Sequence, residues 1–326
     1  MNIGPGHIWI VIAVVAALFG ATKVFAPTSS PLNAETAAII VGNEGENKVV
    51  LIKRPDCVAR KDRVWVVANE RGECIAFVAS GEDVASETAV LFFEGDMSDD
   101  AGTAVEAPLI ESYKRRTKKL AETYAVPFFV IGRPGVIGSS GSHLIGGLKA
   151  EAEIMTAAVD ALRQRFAIRR LVLAGQSGGS RIAAQLLARG RRDVACAAMG
   201  SGAYGLPSLV GGGTVTTNIF GDAPRRFFIP LQNVEGVAAD QRRRVFVIGD
   251  PQDSRTPYPE QSAWAEKLQA AGHHAVLLIA TGSGDEHHGM TSLTLEVAGL
   301  CASGKSDAEI KEFVKGYKGY VLGVGD

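Results

Sequence analysis

The residues best suited to do chemistry are a serine, two aspartates and two histidines in the C-terminal half of a 326-residue chain. Ser177 stands in Gly-Gln-Ser-Gly-Gly (175–179), straight after the apolar run Leu-Val-Leu-Ala and straight before a helix-forming stretch. If the run is a buried strand and the stretch a helix, the serine occupies a turn so tight that only glycines fit beside it. A serine hydroxyl is a weak nucleophile until an imidazole accepts its proton. The imidazole in turn needs a carboxylate to fix its tautomer and stabilise its charged form. Asp250 and Asp253 follow the apolar run Val-Phe-Val-Ile-Gly, and His287 and His288 lie beyond Ala-Val-Leu-Leu-Ile-Ala-Thr-Gly. The pentapeptide alone decides nothing in a chain with 38 glycines, so the weight rests on the three kinds of group together.

These groups need elements to hold them. From Val90 onward, continuously apolar runs alternate with helical patterns. Strands are predicted in AVLFFEG, VPFFVIG, LVLAG, VACAAMG, VFVIG and AVLLIATG. Helices are predicted over Pro108–Tyr124, Lys149–Phe166, Gly178–Arg189, Glu260–Ala271 and from near Thr291. Strands that are apolar throughout and alternate with helices imply a parallel sheet covered on both faces, a doubly wound α/β fold. Ahead of it, short β-branched runs (AAIIV, VVLI, VWVV, CIAFVA) suggest antiparallel strands at one end of the sheet. In open parallel sheets, ligands bind beyond the carboxyl ends of the strands. The serine, the acid and the histidine fall there, in that order.

In these motifs the sequence resembles the α/β-hydrolase superfamily over about Val90 to Leu300. The carriers are GQSGG (175–179), GRPGVIGSSGSH (132–143), GDPQDSRTP (249–257) and DEHHGM (285–290). The open C-terminal part looks most like the dienelactone-hydrolase and prolyl-oligopeptidase-like branches. The resemblance implies a Ser177, Asp253, His288 triad. Asp253 precedes Pro257 as the family acid often does, while Asp250 could instead cap the turn. His288, followed by Gly289, fits the family pattern better than His287. The resemblance also implies an oxyanion hole with one donor from the backbone of Gly178 and the other from the loop after AVLFF. That loop reads Glu94-Gly95-Asp96-Met97 where many members have His-Gly, which leaves the second donor open between Asp96 and Met97. Asp96, Asp99 and Asp100 either solvate this loop or face the pocket, where they would disfavour anionic substrates and suit cationic ones.

The expected activity is a serine hydrolase that cleaves a small-molecule carboxylic ester, with a peptidase or amidase as the alternative. From another class, the alternative is a non-catalytic membrane-tethered binding protein on a hydrolase scaffold. No metal or organic cofactor is required, and no cysteine or histidine cluster has metal-ligand spacing. A formal net charge of −1 gives no overall electrostatic reason to bind nucleic acid. The basic run Lys114–Lys119 reads as the solvated face of a helix. The apolar run Ile8–Leu18 suggests a signal peptide or membrane anchor over residues 1–26. A linker over 27–36 and a catalytic domain over 37–326 would follow, the latter with a small lid or loop at 205–240. The domain is thus expected to be exported, periplasmic or membrane-anchored. Of the four cysteines, Cys57 and Cys74 flank a predicted hairpin and are candidates for a disulfide. Cys196 and Cys301 read as buried free thiols.

Overall fold

The computed structural model describes residues 50–68, 70–97, 103–143, 146–205 and 227–318. Eight strands form one sheet. They are β1 (Arg63–Ala68), β2 (Arg71–Ser80), β3 (Thr88–Phe93), β4 (Phe128–Ile131), β5 (Arg170–Gln176), β6 (Val194–Gly200), β7 (Arg244–Gly249) and β8 (His274–Ile279). Their order across the sheet is β1-β2-β4-β3-β5-β6-β7-β8. The hairpin β1/β2 is antiparallel, β2 pairs antiparallel with β4, and every later pairing is parallel. Of the runs expected to form strands before Val90, VWVV and CIAFVA do so. AAIIV lies outside the described residues, and VVLI contributes only the isolated bridge of Val50 to Gly141. The segment after it forms a short helix, α1 (Arg54–Val58), opened by Pro55 at a position where a missing N–H costs nothing.

The strands are apolar throughout because helices cover both faces. Along β5, Leu171 and Leu173 point to one face and Val172 and Ala174 to the other. The first face packs on α3 (Lys149–Arg165), α4 (Gly178–Ala188) and α5 (Tyr258–Ala270), through Ile154, Leu162, Ile182, Leu186, Trp264 and Leu268. The second packs on α2 (Thr103–Tyr124), α6 (Thr291–Ala302) and α7 (Asp307–Gly316), through Tyr113, Leu120, Leu293, Val297, Ile310 and Val314. Helix α2 begins ahead of Pro108 and carries that proline inside it. Its buried positions Tyr113, Thr117, Leu120 and Ala121 recur at helical spacing, leaving Lys114, Arg115, Lys118 and Lys119 exposed. Among the described residues, no helix is long and apolar enough to cross a membrane. The run Ile8–Leu18 and the linker lie outside them.

Two cysteine assignments separate here. Cys57 and Cys74 are bridged, joining α1 to β2. Cys196 and Cys301 are not free thiols, as expected from sequence, but a second disulfide. Cys196 of β6 points to the face that α6 covers, and the last turn of α6 brings Cys301 to a Cα–Cα distance of 6.5 Å, within bridging range. Of the expected lid, residues 206–226 lie outside the described ones. From 227 the chain lies on the domain: Phe228 donates its N–H to Gly147 O, Gln185 Nε2 donates to Phe228 O, and Ile229, Val234 and Val237 are buried.

Candidate active site

The turn from β5 into α4 is built by close approach. A Cβ on Gly175 would lie 2.3 Å from the backbone of Gly179, and one on Gly179 would lie 1.9 Å from Phe93 O. No other residue fits either position. Between them Ser177 is held at φ 55°, ψ −121°, a left-handed conformation that non-glycine residues rarely adopt. Its N–H donates to Gly200 O at the end of β6, and Ser180 Oγ is within hydrogen-bonding distance of both Gly175 O and Gly200 O. The serine is therefore fixed to two neighbouring strand ends before any partner is considered.

The two aspartates and two histidines sort into two separate pairs. Asp253 accepts from His288 Nδ1 at 3.0 and 3.1 Å. It also accepts from the N–H groups of Arg255 and Thr256, from Thr256 Oγ1 and from Gln261 Nε2. Burial pushes its carboxyl up, but the bond from His288 and the Thr256 N–H outweigh this and hold it below its ordinary value. Because the carboxylate only accepts, His288 Nδ1 carries a proton, and in the neutral ring the lone pair is then on Nε2. Asp250 instead accepts from His287 Nδ1 at 3.0 Å, from Gly282 N–H and from Gln252 N–H.

The elements explain how a histidine following β8 returns toward β5. Helix α6 lies under β5 and β6, so close that a Cβ on Gly200 would lie 3.0 Å from Met290 Cβ and 2.2 Å from Thr294 Oγ1. The loop entering α6 is thereby drawn back across the strand ends. Gln176, the residue before Ser177, donates from Nε2 to the carbonyl of His288 at 3.0 Å. Thr256, which the sequence did not single out, is a second tie, with Oγ1 within reach of Asp253 Oδ2, Ser201 O and His288 Nδ1.

The loop after β3 has its N–H groups largely assigned. Gly95 donates to its neighbour's Glu94 Oε1 at 2.8 Å, and Met97 donates to His143 Nε2 at 3.2 Å. Burial and the nearby Arg133 hold the His143 pKa down, so a neutral ring with an accepting Nε2 is consistent with that bond. Among the described residues, the Asp96 N–H is left without a partner. Gly178 N–H, in the first turn of α4, has no intrahelical acceptor either.

The Asp96 side chain does more than solvate the loop. Its Oδ1 accepts from Arg133 Nη1 at 2.6 Å and Arg181 Nη2 at 3.1 Å. Arg133 also makes two hydrogen bonds to Glu151 Oε1, one of 2.7 Å from Nε and one from Nη2. Burial works against ionising Asp96, yet the Arg181 and Arg133 guanidiniums hold its carboxyl far below the usual carboxylate range. The sequence held one signal of this cluster: Arg181 is the one charged residue in the helix GGSRIAAQLLA, where a buried charge demands a partner. Asp99 and Asp100 lie outside the described residues.

No protein-family model matches the sequence, and no curated protein matches it. Solved structures do. Esterase Pf2001 from Pyrococcus furiosus is similar over 87% of this chain and 100% of its own, at 15% identity and a TM-score of 0.52. Est1E from Butyrivibrio proteoclasticus is similar over 74% of this chain and 97% of its own, at 12% identity and a TM-score of 0.52. With the strand order, the nucleophile-type turn and the helices on both faces, these likenesses establish that this chain is built on the α/β-hydrolase fold.

Proposed function

We propose that the protein is a serine hydrolase that cleaves carboxylic esters through an acyl-enzyme. The observation that carries this reading is the Asp253–His288 bond, tied through the His288 carbonyl to the residue that precedes Ser177. In the proposed reaction, Ser177 Oγ attacks the ester carbonyl carbon while His288 Nε2 takes its proton. Asp253 keeps the ring in the needed tautomer and stabilises the imidazolium. The tetrahedral oxyanion is received by the N–H groups of Gly178 and Asp96, neither of which has an acceptor among the described residues, the first of them at the positive end of α4. As the intermediate collapses, His288 returns the proton to the leaving alcohol. Water then repeats the sequence on the acyl-enzyme and releases the acid.

The Pyrococcus furiosus neighbour reported above carries the name esterase, which supports the choice of ester. Treatment with a fluorophosphonate probe tests the reading. The wild type should label at Ser177 and Ser177→Ala should not, with both proteins folded by circular dichroism. Equal labelling of the two, or none of the wild type, would sink the nucleophile. Faster turnover of peptide amides than of esters would sink the ester assignment. We also propose that the domain works outside the cytoplasm, supported by the apolar run at residues 8–18 and by two disulfides of a kind that persist in oxidising compartments. Fractionation of the native host, with thiol labelling of the recovered protein, tests it: a cytoplasmic protein with four reactive thiols overturns it.

A further inference from the structure

The residue after the nucleophile-type serine is itself a glycine, and its surroundings say why. A Cβ on Gly178 would lie 2.2 Å from Asp96 Oδ1 and 2.7 Å from Arg133 Nη1. The space a side chain would fill at this position is occupied by a carboxylate. Its supports are buried on the protein side: the side chains of Arg133 and Arg181 are 0% and 2% exposed, whereas that of Asp96 is 47% exposed. Two guanidiniums face two carboxylates, Asp96 and Glu151, so the cluster has no spare positive charge to offer an anion. Its solvent-facing end is negative.

The two carboxylate oxygens are not equally engaged. Oδ1 carries the short bonds to Arg133 and Arg181, whereas the contacts of Oδ2 among the described residues are two long ones, both 3.4 Å, from Arg181. A carboxylate oxygen accepts two good hydrogen bonds, so Oδ2 retains acceptor capacity. The arginines also explain how a carboxylate can stand beside a place where negative charge would develop, since they offset its field from behind.

We propose that Asp96 is a specificity-determining residue that accepts a hydrogen bond from an ammonium group carried close to the scissile carbonyl, on the α-carbon of the acyl group or on the second carbon of the alcohol. The assignment rests on the ester-hydrolase reading above. The preferred substrates are then cationic esters, with neutral isosteres next and anionic ones last.

Three benzyl esters that differ in one group test this: those of alanine, isobutyric acid and methylmalonic acid, which place an ammonium, a methyl or a carboxylate on the same carbon. A parallel series moves the charge to the alcohol, 2-aminoethyl against propyl isobutyrate. In at least one series, kcat/KM should favour the ammonium ester over its neutral partner by about tenfold, the ratio of a ~1.4 kcal/mol contact. Asp96→Asn should bring that ratio toward one, whatever happens to the absolute rates. Should that variant fail to fold, the wild type still decides: kcat/KM for the ammonium ester should fall with added salt while that for the neutral ester stays level. Ratios near or below one in both series, in a protein that labels with fluorophosphonate at Ser177, overturn the role of Asp96 and leave the hydrolase reading standing. A protein that fails to label places the failure in the hydrolase reading instead.

Discussion

Asp253–His288 and Asp250–His287 are chemically the same pair, each with a 3.0 Å bond from Nδ1 to a buried carboxylate, and they lie three residues apart on one loop and one residue apart on the other. Their surroundings differ. The His288 side chain is 13% exposed and its carbonyl is bonded to Gln176, so the pair is joined to the Ser177 turn. The His287 side chain is 35% exposed and its backbone stands at φ 55°. Asp250 binds both His287 and the Gly282 N–H, closing the ends of the loop that carries His288. A carboxylate and an imidazole thus make the arrangement proposed as catalytic in one place and a clasp in the other. What separates the roles is the element to which the imidazole is tied.

Substitutions test whether the two pairs differ in this way. The largest effects belong to the inner pair. His288→Ala and Asp253→Asn should each lower kcat for an ester by about 10³- to 10⁴-fold, through loss of proton transfer and of the correct tautomer. If Asp250→Asn proved more damaging to kcat than Asp253→Asn, the roles would have to be exchanged. Asp250→Ala should act mainly on stability, costing about 1–3 kcal/mol in urea unfolding because it strands the buried Gly282 N–H. Its effect on kcat should stay within about tenfold.

A pH series separates the inner pair further. The pKa of Asp253 is lower in the folded protein than its ordinary value of about 3.9. Its contribution is therefore complete above that value and is lost as pH falls through the folded one. Between pH 5 and pH 3 the wild type should lose stability more steeply than Asp253→Asn. Parallel curves would contradict the depressed carboxyl. The smallest change should come from His287→Ala, less than about tenfold in kcat, with Asp250 still holding Gly282.

Much of this arrangement was readable from local pattern. Apolar runs alternating with helical spacing disclosed the covered sheet, and Ser177, Asp253 and His288 stand in the segments that follow β5, β7 and β8, as expected, because those segments are marked by Gly, Asp and Pro. The contrast between the pairs was only half readable, since adjacent histidines and nearby aspartates can pair in more than one way and only the closed loop decides. The disulfide Cys196–Cys301 was not readable, and of the Arg133–Asp96–Arg181 cluster only Arg181 left a signal, because each joins groups far apart in sequence and depends on which helix covers which strand. Helix α7 escaped the sequence reading despite a visible start signal. Ser306 and Glu309 form a capping box, with Ser306 Oγ accepting from Glu309 N–H and the Glu309 side chain accepting from Ser306 N–H.

The bridge between Cys196 and Cys301 closes a covalent ring that contains both Asp253 and His288. A protease that cuts any single peptide bond within that ring creates two new ends without producing a fragment that can diffuse away. A once-nicked molecule would keep its full mass on a denaturing gel run without reductant and would separate into two bands when reductant is added. Survival of the activity after such a cut would then depend on the noncovalent contacts of the sheet, because the chain on both sides of the break remains tethered to the same strand and the same helix.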